Sequence, residues 1–253
     1  MTSGTRDQSG GNRSVRRVLI SGGTSGIGFA CARYLGSLGD KVWVLGSHEA
    51  SVAQAKDRLS LSGAAVCDVA QENEVTQAVA EAASEMGGID GVFVNAGIDG
   101  EGLPAVELGI SHFRRVLEVN VLGAFLVARA ALRAPKRPSA IVFNASVNAL
   151  RPELNFLDYN ASKAAVVSMA KSLALEVSAD GTAVTALCPG YFPTRMTVPY
   201  MEDETVRAQL LARIPAGHFG DLDDIARLVA FLLSPEAAFM TGSVVSIDGG
   251  SSI

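Results

Sequence analysis

Seven short apolar runs alternate with longer amphipathic stretches along almost the whole chain, and this alternation limits the possible folds more than any other feature. Each run has three to five residues, a length that suits a buried strand better than a helix. Strands of this kind, separated by helices, indicate a parallel sheet with helices on both sides. We therefore predict an α/β fold with a doubly wound parallel sheet of about seven strands. The predicted strands are 18–20, 42–45, 64–67, 91–94, 140–143, 183–187 and 243–247, and the predicted helices are 27–38, 51–59, 72–86, 111–133, 158–178 and 222–233.

The chain has 253 residues, the length of one large α/β domain. Residues 1–14 are polar and have no apolar periodicity, so they are predicted to form a disordered N-terminal tail. From residue 15 onward, no Pro- or Gly-rich linker divides the chain. Residues 15–253 are therefore predicted to form a single domain.

Composition and charge exclude several classes of protein. Hydrophobic residues make up 48% of the chain and charged residues 19%, which is typical of a globular protein. The formal net charge is −5 and no basic cluster would attract a phosphate backbone, so no nucleic acid partner is expected. No apolar run approaches the roughly 18 residues of a membrane span, and the polar start is unlike a signal peptide, so no membrane partner is expected either.

The three cysteines and three histidines are scattered along the chain. The cysteines are odd in number and embedded in apolar runs, which is typical of reduced thiols in a cytoplasmic protein. The histidines have no metal-ligand spacing, so no metal site is predicted. We expect a cytoplasmic globular protein.

A glycine-rich turn follows the first predicted strand. Gly22, Gly26 and Gly28 allow the backbone to turn sharply and to approach a pyrophosphate at the start of the next helix, where free N–H groups attract anions. The alternative is a tight strand-to-helix turn with no ligand. The position of the turn, after the first strand of an alternating chain, favours dinucleotide binding.

Tyr159 and Lys163 are four residues apart and therefore lie on one face of a predicted helix. A phenol has an ordinary pKa near ~10, and a nearby ammonium lowers that pKa because it favours the phenolate. The pair would make Tyr159 a usable acid and base. The alternative is a surface pair of the kind that many helices carry.

Two more polar residues stand in apolar surroundings. Ser146 follows the fifth predicted strand, 13 residues before Tyr159, where its hydroxyl could hold a carbonyl oxygen beside the phenol. Asn120 is an amide within an apolar helix. The alternative for Asn120 is a residue that bonds the backbone or lies at the surface.

Together these features resemble the short-chain dehydrogenase/reductase family, in the branch that contains bacterial 3-oxoacyl-acyl-carrier-protein reductases and many sugar and polyol dehydrogenases. The resemblance covers nearly the whole chain, from about residue 15 to residue 250, and implies a Rossmann-type fold. The family's Thr-Gly-x-x-x-Gly-x-Gly loop matches residues 21–28, with Ser21 in place of Thr. Its Asn-Asn-Ala-Gly motif matches residues 94–97, with Val94 in place of the first Asn.

The resemblance implies that a nicotinamide cofactor and the substrate exchange a hydride, which interconverts a ketone and a secondary alcohol. In the implied catalytic tetrad, Tyr159 exchanges a proton with the substrate oxygen, and Ser146 orients that oxygen. Lys163 binds the nicotinamide ribose and lowers the pKa of Tyr159, while Asn120 holds a water that links Lys163 to solvent. The implied cofactor-binding residues are Gly22, Thr24, Ser25, Gly26, Ile27, Gly28, Ser47, Asp68, Val69, Asn95, Ala96, Gly97, Tyr159, Lys163, Pro189, Gly190 and Thr194.

Residues 191–220 are predicted to form a mobile substrate lid, because prolines surround a short helical stretch at 202–213 and the segment is longer than a bare connection needs. The alternative is a packed surface excursion. Tyr200 and Met201 are expected to add to an apolar wall, and Arg151 and Asn155 are candidates for polar selectivity. The predicted substrate-binding residues are Ser146, Asn148, Tyr159, Phe192 and Met196.

NADP(H) is predicted to be favoured modestly over NAD(H). At the end of the second strand, NAD-dependent members of the family place an Asp, which repels a 2′-phosphate, and here Gly46 falls at that position. Ser47 could hydrogen-bond the phosphate. Neither Ser47 nor Ser25 is the Arg or Lys that many NADP-preferring members carry, so the predicted preference is small.

The expected partner is a small-molecule carbonyl or alcohol, or an acyl group bound to a carrier protein. The resemblance also implies a homo-oligomer, either a tetramer or a dimer. The alternative from another class is a catalytically silent dinucleotide-binding regulator on the same fold. The intact tetrad argues against that alternative.

Overall fold

The computed structural model describes residues 14–253, which contain one parallel sheet of seven strands. The strands are β1 (Arg17–Ser21), β2 (Lys41–Gly46), β3 (Gly63–Val66), β4 (Gly91–Val94), β5 (Ala140–Asn144), β6 (Ala183–Pro189) and β7 (Val244–Ile247). Their order in the sheet is β3-β2-β1-β4-β5-β6-β7, and every neighbouring pair is parallel. The predicted α/β fold with a doubly wound parallel sheet is confirmed. The predicted tail at 1–14 lies outside the described residues, except for residue 14.

Nine α-helices lie in the described part of the chain. They are α1 (Gly26–Ser37), α2 (Glu49–Arg58), α3 (Glu72–Met86), α4 (Ile110–Leu117), α5 (Ala124–Leu132), α6 (Leu157–Val177), α7 (Val198–Glu202), α8 (Glu204–Ala212) and α9 (Leu222–Leu232). Local capping fixes several of their ends. The Asp221 carboxylate accepts a hydrogen bond from the Asp223 N–H at 2.7 Å and so starts α9. Gly87, with φ of +76°, takes the left-handed conformation that ends α3.

Helices cover both faces of the sheet over two apolar cores. Successive side chains of a strand point to opposite faces, so one strand serves both cores. On β1, Leu19 lies in the core beneath α3, α5 and α6, whereas Val18 and Ile20 lie in the core beneath α1, α2 and α9. All three side chains are fully buried.

The strand order reverses beside β1, because β2 lies on one side of it and β4 on the other. The loops that follow β1 and β4 therefore diverge and leave a crevice at the carboxyl edge of the sheet. The loops after β5 and β6 end at the same edge, since all strands run in one direction. The fold thus gathers the polar motifs of the sequence along one crevice.

The structure differs from the predicted helices in two places. The predicted helix 111–133 is interrupted by a π-helical turn, Glu118–Gly123, which links α4 to α5. Apolar periodicity does not show the extra residue that such a turn inserts. The predicted stretch 202–213 forms parts of α7 and α8, which are separated at Asp203. The Asp203 carboxylate accepts hydrogen bonds from the N–H groups of Thr205 at 2.8 Å and Val206 at 3.0 Å, and so starts a new helix.

Within residues 14–253, no helix is both long enough and apolar enough to cross a membrane.

Candidate active site

A long cleft of about 480 Å³ follows the carboxyl edge of the sheet from the end of β2 to the end of β6. All but one of the predicted cofactor-binding residues line it. They are Gly22, Thr24, Ser25, Gly26, Ile27, Ser47, Asp68, Val69, Asn95, Ala96, Gly97, Tyr159, Lys163, Pro189, Gly190 and Thr194. The exception is Gly28, which lies behind the wall against Gly22.

The glycine-rich turn has the geometry that its sequence requires. Gly22 and Gly26 have φ of +65° and +53°, in the left-handed region that favours glycine. A Cβ on Gly28 would lie 2.2 Å from the carbonyl oxygen of Gly22, so no side chain fits there. The first turn of α1 has no side-chain cap and no acidic residue. Its N–H groups and the positive end of the helix dipole are therefore available to an anion in the cleft.

Ser21 and Asn95 join the loop after β1 to the loop after β4. The Ser21 hydroxyl accepts hydrogen bonds from the N–H groups of Asn95 at 3.0 Å and Ala96 at 3.1 Å. The Asn95 side-chain NH₂ donates to the carbonyl oxygens of Ser21 at 3.1 Å and Gly22 at 3.0 Å. The hydroxyl that Ser21 shares with the family's Thr thus holds together the two loops that shape the cleft.

The end of the cleft at β2 and β3 is lined by Gly46, Ser47, Asp68 and Val69. The Asp68 carboxylate accepts a hydrogen bond from Arg115 at 2.9 Å. A Cβ on Gly46 would lie 2.5 Å from the Cγ2 methyl of Thr24. Close packing against Thr24 therefore explains the glycine independently of any cofactor preference.

These features fit an extended dinucleotide. The start of α1, which has no side-chain cap, suits a pyrophosphate in the middle of the cleft. The glycines at positions 22 and 28 allow the turn before this helix to pack closely against its neighbours. Polar side chains lie at both ends, with Asp68 at one end and Lys163 at the other. A nicotinamide dinucleotide has a pyrophosphate between two polar nucleosides.

Ser146, Tyr159 and Lys163 meet at the other end of the cleft. The Ser146 hydroxyl accepts a hydrogen bond from the Asn148 N–H at 3.1 Å, and Ser146 lines both cavities together with Tyr159. Lys163 follows Tyr159 by about one turn of α6, so both side chains lie on the same helix face. The Lys163 ammonium donates to the Asn144 carbonyl oxygen at 2.9 Å and lies 5.5 Å from the centre of the Tyr159 ring.

The pKa of Tyr159 departs from the prediction in sign. Burial raises the pKa of this phenol well above its ordinary value, and the negative charges of Asp99 and Glu153 raise it further, whereas the nearby Ser146 side chain lowers it. Burial lowers the pKa of Lys163 to about 8, because it penalises the ammonium charge. The pKa of Tyr159 is thus raised and not lowered as predicted, and Tyr159 holds its proton at neutral pH.

Asn120 lies inside the protein and not in the wall of the cleft. It is 1% exposed and stands in the π-helical turn. Its amide oxygen accepts a hydrogen bond from the Ile98 N–H at 2.8 Å, and its NH₂ donates to the Ile98 carbonyl at 3.0 Å and to the Ser162 hydroxyl at 3.0 Å. Asn120 thus fixes the loop after β4. Its role in holding a water stays a prediction.

A side pocket of about 320 Å³ opens from the long cleft beside Ser146 and Tyr159. Asn148 and Met196, also predicted to bind substrate, line this pocket as well. Phe192 does not line it: the ring is 2% exposed, packs against Gly220 and borders the long cleft instead. An apolar residue in a lid segment suits a core and a pocket equally, so its type gave no means to tell the two apart.

Of the other residues predicted to form the substrate site, some line the side pocket and others do not. Tyr200 lines the side pocket, whereas Met201 is not among its lining residues. Arg151 and Asn155 are also absent from its walls. The Arg151 guanidinium donates to the Ser251 carbonyl at 2.7 Å, and it therefore anchors the C-terminal turn.

Four titratable residues that line the side pocket were not predicted to belong to the site: Asp99, Glu153, Tyr191 and Arg213. The Glu153 carboxylate accepts hydrogen bonds from the Tyr191 hydroxyl at 3.1 Å and from the Arg213 guanidinium. The partners are 38 and 60 residues apart in the chain, so no local spacing announces them. Asp99 had a weak signal, as an acidic residue two positions after the Asn95–Gly97 motif.

Among the described residues, no group of three or more His, Cys, Asp or Glu side chains is placed to hold a metal ion.

Sequence comparison relates this chain to known proteins over nearly its whole length. The family described as Enoyl-(Acyl carrier protein) reductase matches residues 22–252. The 3-oxoacyl-[acyl-carrier-protein] reductase FabG of Vibrio cholerae is 34% identical over 94% of this chain and 98% of its own length.

Structural comparison gives the same relationship. The crystal structure of levodione reductase has a TM-score of 0.89 and 32% identity, and the match covers 95% of this chain and 99% of that one. The crystal structure of 3-ketoacyl-(acyl-carrier-protein) reductase from Brucella melitensis, complexed with NADH, has a TM-score of 0.87 and 32% identity. That match covers 94% of this chain and 98% of that one.

Proposed function

The chain belongs to the short-chain dehydrogenase/reductase family, in its 3-oxoacyl-acyl-carrier-protein reductase-like branch, and from this premise we propose that it interconverts a ketone and a secondary alcohol. It is an NAD(P)-dependent oxidoreductase. One observation carries the proposal. Ser146 and Tyr159 both line the long cleft and the side pocket, so their two hydroxyls stand together where the cavities meet. A carbonyl oxygen from the side pocket can accept hydrogen bonds from both.

The long cleft supplies the residues that would hold the cofactor. The turn at Gly22 and Gly26 and the start of α1 would bind the pyrophosphate, and Ser47 and Asp68 the adenosine end. Lys163 would bind the ribose at the opposite end. When bound, the nicotinamide supplies a hydride in the direction of reduction and takes one up in oxidation.

In the direction of reduction, Tyr159 acts as the general acid. Its raised pKa keeps the phenol protonated at neutral pH, so the proton is available to the substrate oxygen as negative charge develops there. Ser146 donates a second hydrogen bond to the same oxygen and stabilises that charge. In oxidation the same two groups act in reverse: the phenolate form of Tyr159 takes the proton from the alcohol and becomes the phenol again.

Lys163 balances the charge that this proton transfer leaves behind. The departing proton turns Tyr159 into a phenolate, and an ammonium one helix turn away favours that form. Because burial holds the pKa of Lys163 at about 8, this ammonium can also pass a proton on near neutral pH.

We further propose a small preference for NADP(H) over NAD(H). No carboxylate stands at residue 46 to repel a 2′-phosphate, and Ser47 lines the same end of the cleft. A small ketone or alcohol, or a 3-oxoacyl group on a carrier protein, is the proposed substrate. The homo-oligomer, the cytoplasmic location and the single domain with a lid at 191–220 stay predictions.

A substrate panel with both cofactors, run in both directions, tests the proposed function. NADPH binding, followed by the change in its fluorescence, establishes that the cofactor site is intact. We expect binding of NADPH and reduction of at least one ketone. Tight binding without turnover of any ketone or alcohol would instead support the catalytically silent regulator.

A further inference from the structure

We propose that Asp99 recognises a hydroxyl group of the substrate, and that the substrate is therefore a small hydroxylated ketone or the corresponding diol. This inference rests on the proposed function and narrows its substrate class. Asp99 lines both cavities, together with Ser146 and Tyr159, so its carboxylate lies at the junction where the reacting carbon would be held.

The backbone around Asp99 is held on both sides. Ile98, the residue before it, exchanges two hydrogen bonds with the buried Asn120 amide, at 2.8 and 3.0 Å. Two residues after Asp99, the Glu101 N–H donates to the fully buried Asp158 carboxylate at 3.2 Å. A carboxylate on a backbone fixed in this way keeps its direction before any ligand arrives, which is a requirement for selective binding.

The Asp99 carboxylate has acceptor capacity to spare. One oxygen accepts the Gly100 N–H at 2.9 Å and the other accepts the Tyr200 hydroxyl at 3.1 Å. A carboxylate accepts about four hydrogen bonds in all. Among residues 14–253, no Lys or Arg forms an ion pair with it. A partly buried carboxylate without a cation gains most from a ligand that brings a hydrogen-bond donor.

The other polar groups of the side pocket favour the same kind of ligand. Glu153 is neutralised by Arg213 and also accepts the Tyr191 hydroxyl. The Asn148 NH₂ donates to Asn160 at 3.0 Å, whereas the Asn148 amide oxygen has no partner in the described structure. Asp99 and Asn148 thus both offer unused acceptor oxygens in a pocket whose lining also includes Thr197 and Gln209.

The chemistry of the candidate substrates can be compared on this basis. A hydroxyl donates to these acceptors, whereas a thioester or a carboxylate offers only further acceptors and is disfavoured. The pocket also has apolar walls, which include Leu154, Phe156 and Leu210. At about 320 Å³ it has the volume of a small-molecule site. A compact carbon skeleton can pack against the apolar walls, while a hydroxyl next to the reacting carbon can donate to the acceptor oxygens.

Matched pairs of substrates test this assignment. The pairs are butane-2,3-diol with butan-2-ol, cyclohexane-1,2-diol with cyclohexanol, and 3-hydroxybutan-2-one with butan-2-one. The 3-oxobutanoyl thioester of coenzyme A and 2-aminocyclohexanol complete the panel. The wild-type chain, Asp99→Asn, Asp99→Ala and Asp57→Ala are compared, the last as a control at an exposed aspartate on α2. NADPH affinity is measured for each variant to show that the fold and the long cleft are intact.

We expect wild type to prefer the hydroxylated member of at least one pair by about tenfold or more in kcat/KM, the effect of one charge-assisted hydrogen bond. Asp99→Ala should bring that ratio to within about threefold of one. Loss of the Asp99 charge also acts on the pKa of Tyr159, but both members of a pair are measured with the same variant, so that effect cancels in the ratio. Asp99→Asn, which keeps one acceptor oxygen, should lie between the two. Asp57→Ala should keep the wild-type ratio.

Three results would overturn the inference while leaving the proposed function in place. They are equal turnover of the paired substrates by wild type, an unchanged ratio in Asp99→Ala, or turnover of the thioester or the amine in preference to every hydroxylated probe. Binding of NADPH with no turnover of any ketone or alcohol would instead contradict the proposed function itself.

Discussion

The long cleft and the side pocket share Ser146 and Tyr159 but differ in what forms their walls. Backbone turns form the long cleft, and Gly22, Gly26 and Gly28 allow these turns to pack closely: a Cβ on Gly22 would lie 2.8 Å from the Ala96 Cα, and one on Gly28 would lie 2.2 Å from the Gly22 carbonyl oxygen. Side chains from separate parts of the chain form the side pocket, and pairs such as Glu153 with Arg213 close it. At the same edge of the sheet, closely packed backbone turns thus shape the long cleft, whereas side chains shape the side pocket.

This difference has a physical consequence for substitutions. In the long cleft, adding a methyl group should be more harmful than removing a side chain, because the backbone already fits closely. In the side pocket, removing a polar side chain should change selectivity, because the lost group is itself the recognition element.

Lys163→Met should give the largest effect among the tests of this contrast, because Lys163 is a side chain of the long cleft that acts on Tyr159. Loss of its charge leaves the Tyr159 phenolate without a cation, so we expect kcat/KM to fall by about 10²–10⁴-fold, the range for general acid–base groups. Steady-state kinetics measure the effect, with Lys171→Met, an exposed lysine of the same helix, as the control. A fall of less than about threefold would show that the cleft contributes no side-chain chemistry.

Gly28→Ala tests whether the long cleft depends on the close packing of the glycine-rich turn. The added Cβ would lie 2.2 Å from the Gly22 carbonyl oxygen and must displace the turn. We expect about 10- to 100-fold weaker NADPH binding, from an overpacking cost of about 1–3 kcal/mol. The control is Gly36→Ala on the same helix, where the nearest atom is the Ser60 carbonyl oxygen at 3.2 Å. Unchanged affinity in Gly28→Ala would refute the close fit.

The same contrast explains how far the sequence predicts this protein. The glycine turn, Ser146, Tyr159 and Lys163 were predicted because fixed local spacings on one strand-turn-helix unit or one helix place them together. Asp99 and Tyr200 are 101 residues apart and touch only through the tertiary fold, so no spacing predicts their contact. Phe192 shows the converse case: an apolar side chain suits a core and a pocket equally, so the sequence does not show that it borders the long cleft and not the side pocket.

The pKa of Tyr159 could not be predicted for a related reason. Sequence spacing shows that Lys163 is near, but it does not show how deeply the phenol is buried or that Asp99 lies beside it. Burial is the largest cause of the raised pKa, and the negative charge of Asp99 is the next largest.

A third test examines the adenosine end of the long cleft, where both close backbone packing and the charge of a side chain affect cofactor binding. Gly46→Asp alone would place its Cβ 2.5 Å from the Thr24 methyl and should weaken binding of both cofactors. Thr24→Ser removes that methyl, so Gly46→Asp combined with Thr24→Ser should bind normally and shift the kcat/KM ratio towards NAD(H) by about tenfold, or ~1.4 kcal/mol. Thr24→Ser alone is the control. An unmoved ratio in the double variant would mean that this strand end does not meet the ribose.

Glu153→Gln should give the smallest effect. It removes the ion pair with Arg213, which is half exposed and therefore contributes little energy. We expect KM for the substrate to rise by about three- to tenfold with NADPH affinity unchanged, because only the side pocket is altered. Hydrogen exchange in residues 191–220 should also become faster. Glu107→Gln, at an exposed glutamate, is the control, and a larger loss of NADPH affinity than of substrate affinity would contradict the separation of the two sites.

The central claim is that the Tyr159 hydroxyl, at the junction of the two cavities, exchanges the proton with the substrate. Tyr159→Phe keeps the ring and removes only that hydroxyl, so kcat/KM and the dissociation constant of NADPH should separate in this one variant. Against a Tyr34→Phe control, we predict a loss of about 10²–10⁴-fold in kcat/KM with NADPH affinity within about twofold of wild type. Near wild-type turnover by Tyr159→Phe would contradict the account.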